Sequence, residues 1–255
     1  MSGVHADRLY VAGQTVVHRL PAEVKLAALV LFVFAVVATP RDVVWPYAGF
    51  AAVLAALCAL ARLGPRMMMP RMMIEAPFVV LAVLLPIAGT GERTQVLGMS
   101  LSVAGLHAAW GILIKGTLGV TAALIFAATT PTTMLPIALS RLGVPATVTP
   151  VMVMMLRYLD LLADEVRRTH IARLSRGDSP RLLHQAGAIA KGVGALFVRA
   201  YERGERVHLA MASRGFSGAM PAVLGPARAT AAQWGAALVP VVAAVGITLC
   251  AWMIR

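Results

Sequence analysis

Apolar residues along this chain come in long runs rather than in alternation. Four runs occupy the first half, at about 24–39, 43–61, 72–88 and 105–128, and a fifth lies at about 233–252. A helix that crosses a bilayer needs about 17–25 mostly apolar residues. The runs therefore predict an all-α polytopic membrane protein with about five transmembrane helices, the run at 24–39 being the shortest. Trp45, Trp110, Trp234 and Trp252 fall near the run ends, where interfacial aromatics gather. Asp7 and Glu23, in a long approach to the first run, favour a mature first span over a cleaved signal peptide.

Between the fourth and fifth runs the pattern changes. Residues 131–142 (PTTMLPIALSRL) predict a short amphipathic helix closed by Gly143 and Pro145, and residues 148–176 and 181–214 predict two long helices separated at GDSP (177–180). In the second, Leu182, Ala186, Ile189, Val193, Leu196, Ala200, Gly204, Val207 and Met211 recur by threes and fours, as one helical face does. Arg181, Gln185, Arg199, Glu202, Arg203 and Arg206 are expected on the other side. The expected organisation is a membrane domain over 1–128, a cytoplasmic domain of long crossing helices over 129–230, and a last transmembrane helix over 231–255.

Composition sharpens this picture. With 59% hydrophobic and 13% charged residues, the chain has too few charges to cover a soluble globule, which is about a quarter charged. The net charge of +12 does not point to nucleic acid, because no aromatic-rich basic module is present to stack bases. Basic excess in a membrane protein marks cytoplasmic loops. Arg62, Arg66 and Arg71 crowd one connection, whereas the 40–42 and 89–104 connections carry only Arg41 and Arg93. The N-terminus and the 62–71 connection are thus expected inside. Cys58 and Cys250 lie in apolar runs without ligand spacing, so disulfide and zinc chemistry are not expected.

One short phrase occurs twice. Residues 170–177 read HIARLSRG and residues 208–215 read HLAMASRG, with His, Ala, Ser, Arg and Gly identical in place, and the match extends back to Arg168 and Arg206. A glycine after a basic last turn is also an ordinary helix end, and a lone Ser-Arg-Gly would carry no more than that. The duplication carries more. An arginine between a small residue and glycine projects from a helix tip with little bulk around it, where its guanidinium can make several directed hydrogen bonds to another protein. Two such tips suit two like partners.

These phrases, with four spans before and one after, resemble the transmembrane T component of energy-coupling factor transporters, in its CbiQ type associated with cobalt uptake. HRLPAEVKL (18–26) is similar to that family's opening, and MLRYLDLLADEVRRTHIARLSRG (155–177) to its central signature. The family's usual motif is Ala-Arg-Gly, with its arginine at the tip of a coupling helix docked in an ATPase. The resemblance thus implies ATPase-coupling roles for Ser175, Arg176 and Gly177 in one tip and for Ser213, Arg214 and Gly215 in the other. Ser175 and Ser213 replace the family's alanine, and Pro21 sits one position later than in the usual Asp-Pro-Arg opening.

The implied function is that of a non-catalytic coupling subunit of an ATP-driven importer in a bacterial inner membrane. Its implied partners are two ABC-type ATPases (CbiO-like), a substrate-binding membrane subunit (CbiM-like) and a small accessory membrane subunit. Cobalt is the implied cargo, with nickel or a vitamin as alternatives. The chain is expected to bind no cofactor itself, ATP and Mg residing on the ATPases.

Other patterns weigh less. No P-loop, Gly-x-Ser-x-Gly or His-Glu-x-x-His occurs. The Met67–Met73 stretch (MMMPRMM) contains soft-metal ligands, but methionine clusters are more often adaptable packing. Glu75 and Lys115 lie inside runs and are functional suspects for that reason. A depth difference of roughly 14 Å at 1.5 Å per residue argues against a direct pair, and for Lys115 a structural role, tied to a carbonyl or a neighbouring group, is favoured over a transport role. Rival classes are a conventional ABC permease, for which Glu75-Ala76-Pro77 is a fragmentary match, and a secondary transporter, which would need a midplane polar site.

Overall fold

The computed structural model describes residues 9–41, 43–88, 93–96, 99–177, 186–216, 218 and 228–254. The chain divides into two compact units, one of residues 9–138 with 226–255 and one of residues 139–225 with 1–8.

The first unit is built from apolar helices. After the single turn α1 (Val16–Arg19) come α2 (Ala22–Ala38), started by Pro21, and α3 (Trp45–Leu60), with Pro46 in its first turn. The turn α4 (Pro65–Met68) runs into a 3-10 segment, Met69–Glu75, and then α5 (Ala76–Ala88). A hairpin of β1 (Arg93–Val96) and β2 (Met99–Ser102), antiparallel with Arg93 opposite Ser102, leads into α6 (Val103–Thr129). Another 3-10 turn, Thr132–Met134, precedes α7 (Leu135–Arg141), which ends at Gly143 with φ +93°. The final helix of this unit, α10, spans Ala231–Met253, after α8 (Val148–Ser175) and α9 (Ala186–Ala212) of the second unit.

The all-α reading holds, and each predicted apolar run contains a helix. Met69–Ile87, Val103–Thr129 and Ala231–Met253 are long and apolar enough to cross a membrane. The two remaining helices expected to span are shorter, at 17 residues for α2 and 16 for α3, the low end of what a bilayer needs. The hairpin is the local departure, in a stretch expected to be a plain connection.

Packing inside the unit is aromatic at its centre and small at its contacts. Phe50 is fully buried and meets Phe32 edge-to-face at 5.9 Å, while the Tyr47 hydroxyl donates to Pro40 O at 3.0 Å. Helices α2 and α10 are joined through threonines: Thr39 and Thr248 both donate to Ala35 O, at 2.9 and 3.2 Å. Gly105 lets α6 touch α5, since a Cβ there would stand 2.6 Å from Leu85 O. The outward faces are apolar and bare, with Phe34, Val83 and Val242 all more than 60% exposed. Surfaces of that character are stable against lipid rather than water.

The second unit is the pair α8 and α9. At 28 and 27 residues they are each about 40 Å long at 1.5 Å per residue. The second half of α8, at Val166 and His170, faces the first half of α9, at Ile189 and Val193, so the two helices run in opposite senses.

Candidate functional site

The two Ser-Arg-Gly phrases form the same kind of turn. Helix α8 ends at Ser175, and Gly177 adopts φ +83°; α9 ends at Ala212, and Gly215 adopts φ +85°. Only glycine takes this left-handed conformation without a steric penalty. The amide of Arg176 donates to Arg173 O and that of Gly177 to Leu174 O, both at 3.0 Å. Arg214 and Gly215 repeat this with Met211 O and Ala212 O, again at 3.0 Å, and Phe216 N returns to Met211 O, the long-range bond of a Schellman ending.

The serines bond back to the helix, as short hydroxyl side chains do. Ser175 Oγ donates to Ile171 O and Ser213 Oγ to Ala210 O, each at 3.0 Å. The two copies are thus out of step by one residue, Ser175 closing its helix and Ser213 standing just beyond its own. Arg176 and Arg214 are both exposed, and neither guanidinium has a protein partner among the described residues.

Between these ends the helices are pinned by charge. Glu165 of α8 receives Arg199 Nε at 3.2 Å and Arg203 Nη2 at 3.8 Å. This corrects the expected face of α9. Leu196, Ala200, Val207 and Met211 of the expected stripe are half-buried, and Ile189 and Val193 line the groove against α8, whereas Gly204 is exposed and Arg203 half-buried; Leu182 lies outside the described residues. Arg203 replaces Gly204 on the packed side because a carboxylate waits for it there. The two residues stand three positions before Arg168 and Arg206, where the repeat begins, and their pairing is visible only once the helices are placed together.

The intramembrane ionisable residues are both satisfied, on opposite errands. Lys115 Nζ donates to Val37 O and Thr39 O at 2.8 Å each, closing the end of α2. Glu75 is buried, and its Oε1 accepts from Thr117 Oγ1 at 2.6 Å. The expected 14 Å separation in depth does not hold, because Glu75 reaches α6 two residues from Lys115. The helical segment begins at Pro65, seven residues before the predicted run, so Glu75 stands ten residues in, at least about 15 Å along at 1.5 Å per residue. The two charges stay apart for another reason: they address different faces of α6.

The methionine stretch does not converge on one point. Met68 is buried and Met72 packs against the core, while Met69 and Met73 are over 70% exposed. Among the described residues no three His, Cys, Asp or Glu side chains gather as metal ligands.

Apolar helices with bare outer faces, joined to a cationic unit that carries two like arginine turns, define an all-α membrane protein with a distinct charged domain. The chain belongs to the CbiQ family of cobalt transport proteins, whose model matches residues 13–223. It is also 29% identical over 134 residues to an uncharacterized protein of Methanocaldococcus jannaschii. That match covers 51% of this chain and 50% of the relative, so the chain spans about half the length of that relative.

Proposed function

We propose that this chain is the transmembrane T subunit of an ATP-driven importer of the energy-coupling factor type. It is a multi-pass protein of a bacterial inner membrane, with α2 and α3 crossing beside the three longer helices and the Arg62 side facing the cytoplasm. Two ABC-type ATPases of the CbiO-like kind hydrolyse ATP with Mg, and this chain itself is non-catalytic. Arg176 and Arg214 each dock in one ATPase, with Ser175, Gly177, Ser213 and Gly215 shaping the turns that present them. Closure of the ATPases moves α8 and α9 and thereby a CbiM-like substrate-binding subunit, accompanied by a small accessory membrane subunit. Cobalt is the cargo that membership in a cobalt transport family favours, ahead of nickel or a vitamin.

One observation carries this reading: two exposed arginines, without a partner among the described residues, end two long helices in nearly the same turn. Each stands eleven residues beyond the shared ion pair, counted from Glu165 to Arg176 and from Arg203 to Arg214. That is about 16 Å of helix on each side. Because the helices run in opposite senses, the tips lie at opposite ends, no more than about 35 Å apart. Such spacing fits two partners side by side. A conventional permease loop is disfavoured, since Glu75 is buried and bonded to Thr117 and cannot greet a partner.

The test is co-purification from native membranes of the tagged chain against an Arg176→Glu/Arg214→Glu variant. An ATPase retained by the wild type and lost by the well-folded variant supports docking. Equal retention returns the two phrases to simple helix ends.

A further inference from the structure

A basic cleft of about 460 Å³ opens in the first unit, where α2 and α10 begin and α6 ends. Its walls include His18, Arg19, Lys25, Thr130, Arg228 and Gln233, and among the described residues no Asp or Glu lines it. Most of the HRLPAEVKL opening contributes to this wall, a stretch to which arginine-tip docking gives no task.

The charges here are not neutralised internally. Lys25 is held by Thr129 O at 2.7 Å, which uses one of its three ammonium donors. His18 is fully engaged: Nε2 donates to Val11 O at 3.0 Å, and Nδ1 accepts from Thr15 Oγ1 at 2.7 Å. The tautomer is the one this network assigns. Arg19 and Arg228 are exposed, and neither has a protein partner among the described residues. Thr130 is only 5% exposed, yet its hydroxyl has no hydrogen-bond partner. A buried unsatisfied hydroxyl is costly and calls for one. The nearest carboxylate, Glu23, is turned to Ala229 N at 2.7 Å and stays out of the wall. The positive ends of α2 and α10 add to the field.

We propose that this cleft binds a phosphate group, with Arg19 and Arg228 as its charged clamp. Guanidinium pairs fit phosphate oxygens in fork geometry, and the cavity has room for a headgroup beyond the phosphate. The cleft also lies where α2 and α10 begin and α6 ends, and the ends of membrane-spanning helices are where phospholipid headgroups gather. Basic pockets between membrane helices on the cytoplasmic side are sites for anionic lipids. A lipid phosphodiester and free phosphate share this chemistry, and the experiment separates them. The inference does not depend on ATPase coupling.

The full chain is purified in neutral phosphatidylcholine nanodiscs, and its melting temperature is followed as phosphatidylglycerol replaces part of the lipid. Inorganic phosphate is added in a parallel series. The wild type is expected to melt higher with phosphatidylglycerol, and Arg19→Gln/Arg228→Gln to need at least about tenfold more lipid for the same rise. Arg62→Gln, which removes a charge outside the cleft, should follow the wild type. If inorganic phosphate alone gives the same variant-sensitive rise, the site stands and its ligand is soluble. No rise in the wild type, or equal rises in wild type and double variant, overturns the proposal.

Discussion

Glu165 and Arg203, thirty-eight residues apart like the two Ser-Arg-Gly phrases and just before the matched stretch, meet across the crossing of α8 and α9 at 3.8 Å. Their side chains are only 20% and 33% exposed. The contact is therefore complementary in charge, and the repeated phrases that follow it end each helix in like turns. With Arg199 closing the other oxygen at 3.2 Å, the crossing point is set by a single carboxylate.

Replacing Glu165 by Gln should loosen that point without unfolding the protein. Partly exposed ion pairs contribute about 0.2–1 kcal/mol, so the melting temperature should fall by only a few degrees. ATPase co-purification should persist while ATP-driven uptake drops. Uptake at wild-type level would separate the crossing from coupling.

Arg176→Glu and Arg214→Glu made singly should each weaken ATPase retention, and the pair together should abolish it. Ser175→Ala and Ser213→Ala should be nearly silent, since each restores the residue usual in the family's motif and removes only a solvent-exposed bond to a helix carbonyl. Quantitative pull-down of all five variants, normalised to folded protein, checks the ranking.

Gly177→Ala and Gly215→Ala each place a side chain at φ near +85°, with nothing within 4 Å to clash. The cost is then purely conformational, about 1–2 kcal/mol at each site. Asparagine, which tolerates this region better, should recover part of it. Thermal melts of the Ala and Asn variants measure the difference, and equal melts would contradict the assigned turn.

Lys115→Met strips Val37 O and Thr39 O of a shared donor. Unmade bonds of this kind cost about 1–3 kcal/mol, so the variant should melt lower in detergent. Gly105→Ala should destabilise by a similar amount, about 1–3 kcal/mol by overpacking, because its Cβ would press on Leu85 O and Pro86 Cα at 2.6 and 2.8 Å. Gly119→Ala, with open space around it, is the control that should stay near neutral.

The parts of this fold that follow from apolar length were legible in the residues. The run 105–128 became Val103–Thr129, and 233–252 became Ala231–Met253. The tips were legible too, as residues: repetition marked Arg176 and Arg214, and both emerge exposed on glycine-ended turns. Periodicity failed where a polar group packs by pairing. Arg203 counts as polar in any apolar stripe, and only Glu165 on the other helix brings it inward. Depth failed because the helical segment starts at Pro65, before the apolar run itself, which places Glu75 ten residues in rather than near an end. The hairpin at 93–102 left no alternation strong enough to be seen in RTQV and MSLS.

The equal distances on either side of Glu165 have a mechanical meaning. Two rods pinned at a common point, with arms of the same length, behave as a balanced lever. Whatever moves one arginine end inward swings the other by the same angle, and neither end has the advantage of reach. A one-residue insertion between Glu165 and Arg176, or between Arg203 and Arg214, would lengthen one arm by about 1.5 Å and turn its tip by about 100°. Balance of this kind makes the register of the two segments, and not merely their composition, a property under load.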